Sequence, residues 1–377
     1  VGSGKTAVAA CTALMALESG FNVALMAPTE ILAEQHGRNF SRWLEPLGVK
    51  VEMQTGSKKT GEDRGLKMED GKGARPSILH PPSSIFIGTH ALLTGGFNLP
   101  RLGLVIIDEQ HKFGVAQREQ LVRKGNYPHL LVMTATPIPR TLGLTLYGDL
   151  DLSTIDELPP GRGVVKTFVR MSDKLPKVWE FVQQKLAAGR QAYVVYPRVE
   201  ENADGLKAVT KEFDTLKKKL APFRVGLLHG RIKAAEKEAV MADFRANRVN
   251  VLLATSLIEV GVDVANATVM LIENAESFGL AQLHQLRGRI GRGAHESFCI
   301  LISDAKQPES RERLQVLAET TDGFRIAEAD LKLRGPGELL GQQQSGLPRF
   351  RFGALVSDLS LVRQARDIAA KMLAAKD

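Results

Sequence analysis

The sequence predicts an α/β protein of two tandem domains, each built on a parallel sheet. Three observations carry that expectation. Short runs rich in Val, Ile and Leu alternate with helical stretches through both halves of the chain, the rhythm of strand, crossover helix and parallel strand. The rhythm is interrupted at residues 158–163, LPPGRG, where two prolines and two glycines make an inter-domain linker. Residues 104–111, LVIIDEQH, drive four apolar side chains straight into two carboxylates. A buried strand of this kind delivers acids to the carboxyl edge of a sheet, where open α/β folds bind ligands.

Taken in order, the chain opens with VGSGKT. Gly4, Lys5 and Thr6 complete a phosphate-binding loop whose first glycine would stand just before Val1, so the chain is expected to begin inside its own nucleotide site. Gly2, Ser3 and Gly4 bring backbone N–H groups to phosphate oxygens, Lys5 reaches the β- and γ-phosphates, and Thr6 ligates Mg²⁺, with the positive end of the following helix behind them. That helix is Ala-rich over residues 6–17 and ends at Gly20. Residues 22–27 read as a buried strand, and PTEILAEQH starts a helix with Thr29 as its cap. Between Gly56 and Ser84 the segment is rich in Lys, Gly, Pro and Ser, and an irregular loop is expected. Residues 84–88 restore a strand, followed by Thr89, His90 and Ala91.

The acidic strand comes next. Asp108 is placed to hold Mg²⁺ through water, and Glu109 to orient or deprotonate an attacking water. Residues 129–133 lead into TATPIPRT, where the Thr134 and Thr136 hydroxyls stand beside the acidic strand and can link phosphate state to movement. Pro137 and Pro139 keep the next helix from starting early.

Beyond the linker, apolar runs at 164–169, 192–196, 225–228, 251–254, 269–272 and 298–302 predict a second sheet, with no phosphate loop of its own. The Lys-rich stretch 207–220 reads as an amphipathic helix with a solvated basic face, and His229 as a turn residue. ATSLIEVGVDV, residues 254–264, places Gly261 and Asp263 in a turn suited to phosphate contact. In QLHQLRGRIGRG, residues 282–293, Gln285, Arg289 and Arg292 align on one helical face if the helix persists. The two arginines can then serve as fingers to a γ-phosphate held by the first domain. Splitting a nucleotide site between domains makes closure depend on nucleotide.

Composition permits such a protein. At 377 residues, 44% hydrophobic and 24% charged, the chain has ample length for two domains and an extension. A net charge of +8 is compatible with a polyanionic partner without demanding one. Cys11 and Cys299 lie in apolar runs and are expected in the core, which suits a reducing, cytoplasmic setting. No apolar run approaches the ~18 residues of a membrane span, and the sequence shows no signal-peptide pattern.

In this order VGSGKT, APTEILAEQH, GTHAL, DEQHKFGV, TATPIPRT, ATSLIEVGVDV and QLHQLRGRIGRG resemble the motifs of superfamily 2 helicases. LYGDLDLSTIDELPPGR and LKLRGPGELLG are similar to those of the RecG branch-migration helicases. The resemblance implies two RecA-like P-loop NTPase domains, at 1–160 and 161–305, and an extension at 306–377 made of a translocation-motif helical hairpin, a loop and a C-terminal helix. It implies ATP and Mg²⁺ as cofactors. The implied partner is branched DNA, at replication forks and Holliday junctions, with no membrane. The parent would be monomeric and cytoplasmic, with contact to a single-stranded-DNA-binding protein. Gln110 and His111 would relay nucleotide state together with Gln285, and Arg313, Arg334 and Gln344 would couple the hairpin to the motor.

GQQQSG departs from the family at Gln342 and Gln343, where a Thr and a basic residue are usual. The family's wedge domain, adenine-recognition motif and first P-loop strand are expected upstream. Two alternatives stand beside this reading. The transcription-repair coupling translocase shares TATPIPRT and would also bind RNA polymerase, and a non-hydrolysing DNA-binding fragment would have the fold without turnover.

Overall fold

The computed structural model describes residues 2–56, 83–94, 99–134, 151, 153–155, 157, 161–197, 203–230, 232–255 and 264–334, with scattered positions between 361 and 372. Thr136, Gly261, Asp263 and Gln344 lie outside these residues, as do Gln342, Gln343 and most of the 56–84 loop.

In the first half α1 (Lys5–Glu18) is followed by β1 (Asn22–Met26), α2 (Glu30–Leu44), β2 (Lys50–Gln54), β3 (Ser84–Gly88), β4 (Leu102–Asp108), α3 (Val115–Val122) and β5 (His129–Met133). The five strands form one sheet in the order β2-β3-β1-β4-β5, and every pairing is parallel. Alternation along the strands decides what each face meets. Val23, Leu25, Ile85, Ile87, Leu104 and Ile106 pack with Ala9, Ala13 and Leu17 of α1 and Leu32, Ala33 and Phe40 of α2. The intervening Ala24, Met26, Phe86, Val105 and Ile107 pack with Leu92, Leu99 and Leu121 on the other side. Small residues on the inner face of α1 let it approach the sheet closely. Cys11 faces the opposite way and is exposed, contrary to its expected place in the core. The apolar stripe of α1 runs through Ala9, Ala13 and Leu17, and position 11 lies about half a turn from it. Thr29 caps α2 as expected, its hydroxyl accepting the Leu32 N–H at 3.4 Å.

Strand β2 was not anticipated. Among the described residues it is an edge strand, paired only with β3, and its Lys50, Glu52 and Gln54 alternate with just two apolar residues.

The second half contains β6 (Val165–Arg170), α4 (Leu175–Ala187), β7 (Gln191–Tyr196), α5 (Ala203–Lys219), β8 (Val225–Leu228), α6 (Ala234–Arg245), β9 (Val251–Thr255), β10 (Ala267–Ile272), α7 (Leu280–Arg287) and β11 (Ser297–Ile302). Its sheet runs β6-β11-β10-β7-β9-β8, again parallel throughout. One face, with Val194, Leu253, Val269 and Ile300, meets Trp179 and Val182 of α4 and Leu216 of α5. The other, with Val195, Leu252, Met270, Ile272 and Leu301, meets Phe244 of α6 and Leu283 and Leu286 of α7.

A helical hairpin follows the second sheet: α8 (Pro308–Glu319) and α9 (Gly323–Arg334). Leu314, Leu317 and Ile326 are buried in the same core as α7, which docks the hairpin on the second sheet. Each such side chain contributes roughly 1.5–3 kcal/mol when removed from water. Among the described residues no helix is long and apolar enough to cross a membrane.

Candidate nucleotide site and its coupling contacts

The parallel register places the ends of β1, β3 and β4 side by side, and Asp108 is the last residue of the central acidic strand. Gly2 and Gly4 hold left-handed backbone angles, φ +72° and +92°. Gly4 caps α1, and nothing lies within 4 Å of the position a Cβ would take there. The result is an open cradle of backbone N–H groups at a helix N-terminus, which fits a phosphate chain. Ser3 sits between the two glycines, and Thr6 lies in the first turn of α1 beside Lys5.

Lys5 reveals what shares the cleft with it. Burial lowers its pKa most, Glu109 and Asp108 oppose that, and Arg292 and Arg289 reinforce it. One ammonium thus senses both acids of the first sheet and both arginines that follow α7. Asp108 is buried and held at both oxygens, with acceptor capacity left on each: its Oδ2 accepts from His36 Nε2 at 2.8 Å, and its Oδ1 accepts the Glu109 N–H at 2.9 Å. Glu109 has φ +51°, a left-handed conformation that costs a non-glycine residue of order 1 kcal/mol and is found where a site demands it. The donor set, one buried carboxylate with a threonine hydroxyl and a phosphate cradle, is hard oxygen chemistry and fits Mg²⁺.

Gln110 and His111 belong to the 3₁₀ turn after Glu109. Gln110 is buried and its Oε1 accepts from Arg118 at 3.1 Å, whereas the His111 side chain lies outside the described residues. Thr134 follows Met133, the register partner of Asp108, so it stands beside the acidic strand as expected.

The expected single helical face of Gln285, Arg289 and Arg292 does not form. Helix α7 ends at Arg287 with Gly288 as its cap, and Gly291 takes φ +71° in the turn beyond. Gln285 is buried within the helix, while both arginines leave it on that turn. The break is what carries them toward Lys5. Arg292 Nε donates to Gly288 O at 3.2 Å, which folds its side chain back over the turn.

Three family models match in the order of these parts: DEAD/DEAH box helicase over residues 1–144, Helicase conserved C-terminal domain over 173–294, and ATP-dependent DNA helicase RecG, domain 3, C-terminal, over 320–377. The ATP-dependent DNA helicase RecG of Synechocystis sp. is 51% identical over 99% of this chain and 44% of its own length. That of Acidithiobacillus ferridurans is 50% identical over 99% of this chain and 54% of its own. This chain is homologous to the RecG helicases over nearly its whole length. A solved RecG bound to a three-way DNA junction superposes with a TM-score of 0.73 at 43% identity, covering 96% of this chain and 46% of that one. The chain therefore spans about half the length of the RecG relatives it matches.

Within this RecG-type frame the hairpin is pinned to α7 at two points. Arg313 of α8 donates to the Glu276 carbonyl in the turn that precedes α7. Arg287, the last residue of α7, donates through Nη1 to Leu317 O at 2.6 Å and Thr320 O at 2.9 Å, where α8 ends. Its Nη2 lies 3.1 Å from His284 Nδ1, which must accept because a guanidinium only donates. His284 suits that part. Burial first, and then the Arg287 charge, push its pKa down to about 3, so the ring is neutral. Arg334 closes α9, its side chain outside the described residues.

Three residues of the site escaped the sequence reading. His36 was legible only as the end of a helical stretch, and Arg287 only as one arginine among several. Arg162 lay inside the linker. Its Nε donates to Gly291 O at 3.0 Å, and its amines lie 3.4 Å from Gly2 O and 3.5 Å from Gly288 O. The linker end itself is zipped to the same turn, Gly163 N–H donating to Gly293 O at 2.8 Å. A charged residue isolated in a Pro/Gly linker was the one available signal.

Proposed function

We propose that the chain is the motor of an ATP-dependent DNA helicase that couples hydrolysis to translocation on duplex DNA, acting on branched substrates such as forks and Holliday junctions. The observation that carries this reading is the cleft in which Lys5 senses Asp108 and Glu109 from one sheet and Arg289 and Arg292 from beside the other. Residues 1–160 would bind ATP, 161–305 would close on it, and 306–377 would carry the motion to DNA, in a monomer working in the cytoplasm. Support for the branched substrate comes from the relative solved on a three-way junction. The match of the tail to a RecG model favours this reading over the transcription-repair coupling translocase.

In the proposed site Gly2, Ser3 and Gly4 cradle the phosphates, Lys5 neutralises them, and Thr6 and Asp108 hold Mg²⁺. The bound ion would offset charge on the β- and γ-phosphate oxygens. Glu109 orients the attacking water, and Arg289 and Arg292 stabilise charge as the γ-phosphoryl separates. Gly261 and Asp263 would add phosphate contacts, with Gln110, His111, Thr134, Thr136 and Gln285 relaying the nucleotide state.

The test uses the full gene product, fork DNA, and paired measurements of ATP binding and hydrolysis. Glu109→Gln should bind ATP as the wild type does and lose about 10²–10⁴-fold in turnover, because it acts only as the bond breaks. Lys5→Ala should lose affinity as well. Near-normal hydrolysis by Glu109→Gln would sink the assignment, and a wild type that binds DNA without turnover would establish the non-hydrolysing alternative.

A further inference from the structure

Helix α2 buries Leu32, His36, Phe40 and Leu44 at four-residue intervals, one stripe against the first sheet. Leucine would continue that stripe; a histidine interrupts it. The imidazole is 3% exposed, lies edge-on to the Phe40 ring at 6.4 Å between centroids, and leaves Nδ1 buried with no hydrogen-bond partner among the described residues. An unsatisfied buried nitrogen is a standing penalty, and packing alone does not explain its retention. What the ring gains is its other nitrogen, 2.8 Å from Asp108 Oδ2 across 72 residues of sequence. A carboxylate accepts, so Nε2 carries the proton.

The consequence lies at Asp108. Its carboxylate stands on the same side of the cleft as Lys5 and acts to raise the pKa of that ammonium. Both carboxylate oxygens are already held, one by His36 and the other by the Glu109 N–H at 2.9 Å. The carboxylate therefore stays on the end of β4.

We propose that His36 is a positioning residue that fixes the Asp108 carboxylate for Mg²⁺. The inference rests on the nucleotide-site reading above and deepens it. Histidine Nε2–H acts here as an outer-shell donor to a metal-binding carboxylate, and such donors set ligand orientation and metal affinity.

The experiment measures binding of a fluorescent ADP analogue to the full gene product across a Mg²⁺ series and in EDTA, with folding of each variant checked by thermal melting. His36→Leu keeps the volume and removes the donor. It should raise the Mg²⁺ concentration for half-maximal binding by about tenfold or more, with affinity in EDTA within about twofold of wild type. His36→Gln places an amide N–H near the Nε2 position and should recover most of the loss, whereas His36→Asn is too short and should behave as His36→Leu. In an Asp108→Asn background the His36 substitutions should shift the Mg²⁺ requirement no further. A folded His36→Leu, or His36→Asn if the leucine variant fails to fold, with an unchanged Mg²⁺ requirement overturns the proposal. So does a His36→Gln that recovers nothing. A wild type that binds no nucleotide in Mg²⁺ or in EDTA overturns the nucleotide-site reading itself, which keeps the two failures distinct.

Discussion

Replacing Arg287 by Met tests whether the hairpin is held to α7 as the structure shows. Arg287 is 4% exposed, and its guanidinium serves Leu317 O at 2.6 Å, Thr320 O at 2.9 Å and His284 Nδ1 at 3.1 Å. Methionine fills much of the volume and strands these three acceptors, together with Thr167 Oγ1 of β6 at 3.5 Å. A hydrogen bond from a charged donor is worth about 1.5–3 kcal/mol, and each stranded buried acceptor costs about 1–3 kcal/mol. Against this, the substitution removes a buried charge whose pKa is itself lowered by burial, which returns part of the loss. The balance is about 3 kcal/mol, close to a hundredfold in an opening equilibrium.

The loss should be local. The two carbonyls sit at the end of α8 and in the turn into α9, so the hairpin should open without unfolding the second sheet. Hydrogen exchange reads this directly: amides of 308–334 should exchange about a hundredfold faster, while those of β7 and β10 hold. Lysine should not rescue, because one ammonium on a flexible stem cannot reproduce the planar fork. Hairpin exchange within about threefold of wild type, or acceleration spread evenly over the second sheet, would refute the reasoning.

Two further outcomes follow from other contacts. Arg162→Ala frees the turn that carries Arg289 and Arg292 from Gly2, and should lower kcat for ATP about tenfold with little change in KM, since a small misplacement is enough; recovery by Arg162→Lys would show that only the charge matters. Glu273 has its pKa raised to about 7 by burial first, then by Glu212 and Asp304, against the opposing Lys219. A raised pKa in the folded state means stability is fully present below the ordinary carboxylate value of 4.5 and is lost as pH rises through about 7. Glu273→Gln should therefore flatten the melting temperature between pH 5 and 8 and melt above the wild type at pH 8, and an unchanged slope would place that proton elsewhere.

The strands that were legible are those whose apolar residues report two buried faces at once. Residues 104–107 and 269–272 are apolar without interruption because helices cover both sides of a parallel sheet. Edge strand β2 lacks that pressure, and its polar alternation matched no expectation. The break after α7 was also written in the sequence, as Gly288 and Gly291, yet the spacing of Gln285, Arg289 and Arg292 suggested a continuous helix. Glycine's tolerance of left-handed angles decided the matter in favour of a turn.

His36, Arg162 and Arg287 were illegible for a different reason. Motifs record side chains whose type is dictated by a ligand, whereas these three answer to partners elsewhere in the protein. Arg162 reaches carbonyls 126, 129 and 160 residues away, and any residue type can supply a carbonyl. Nothing in the acceptor's own sequence marks it. Put together, these contacts form one connected route: Gly2 O to Arg162, Arg162 to Gly288 O and Gly291 O, then α7, and from Arg287 to Leu317 O and Thr320 O. Its first link crosses the cleft and its last reaches the hairpin. A route of this kind carries coupling only through an element with two arrangements, and the Gly288–Gly291 turn, which is neither helix nor strand, lies midway along it. That turn carries Arg289 and leads into Arg292, so the residues proposed to meet the γ-phosphate and the contacts that hold the hairpin would move on the same few backbone dihedrals.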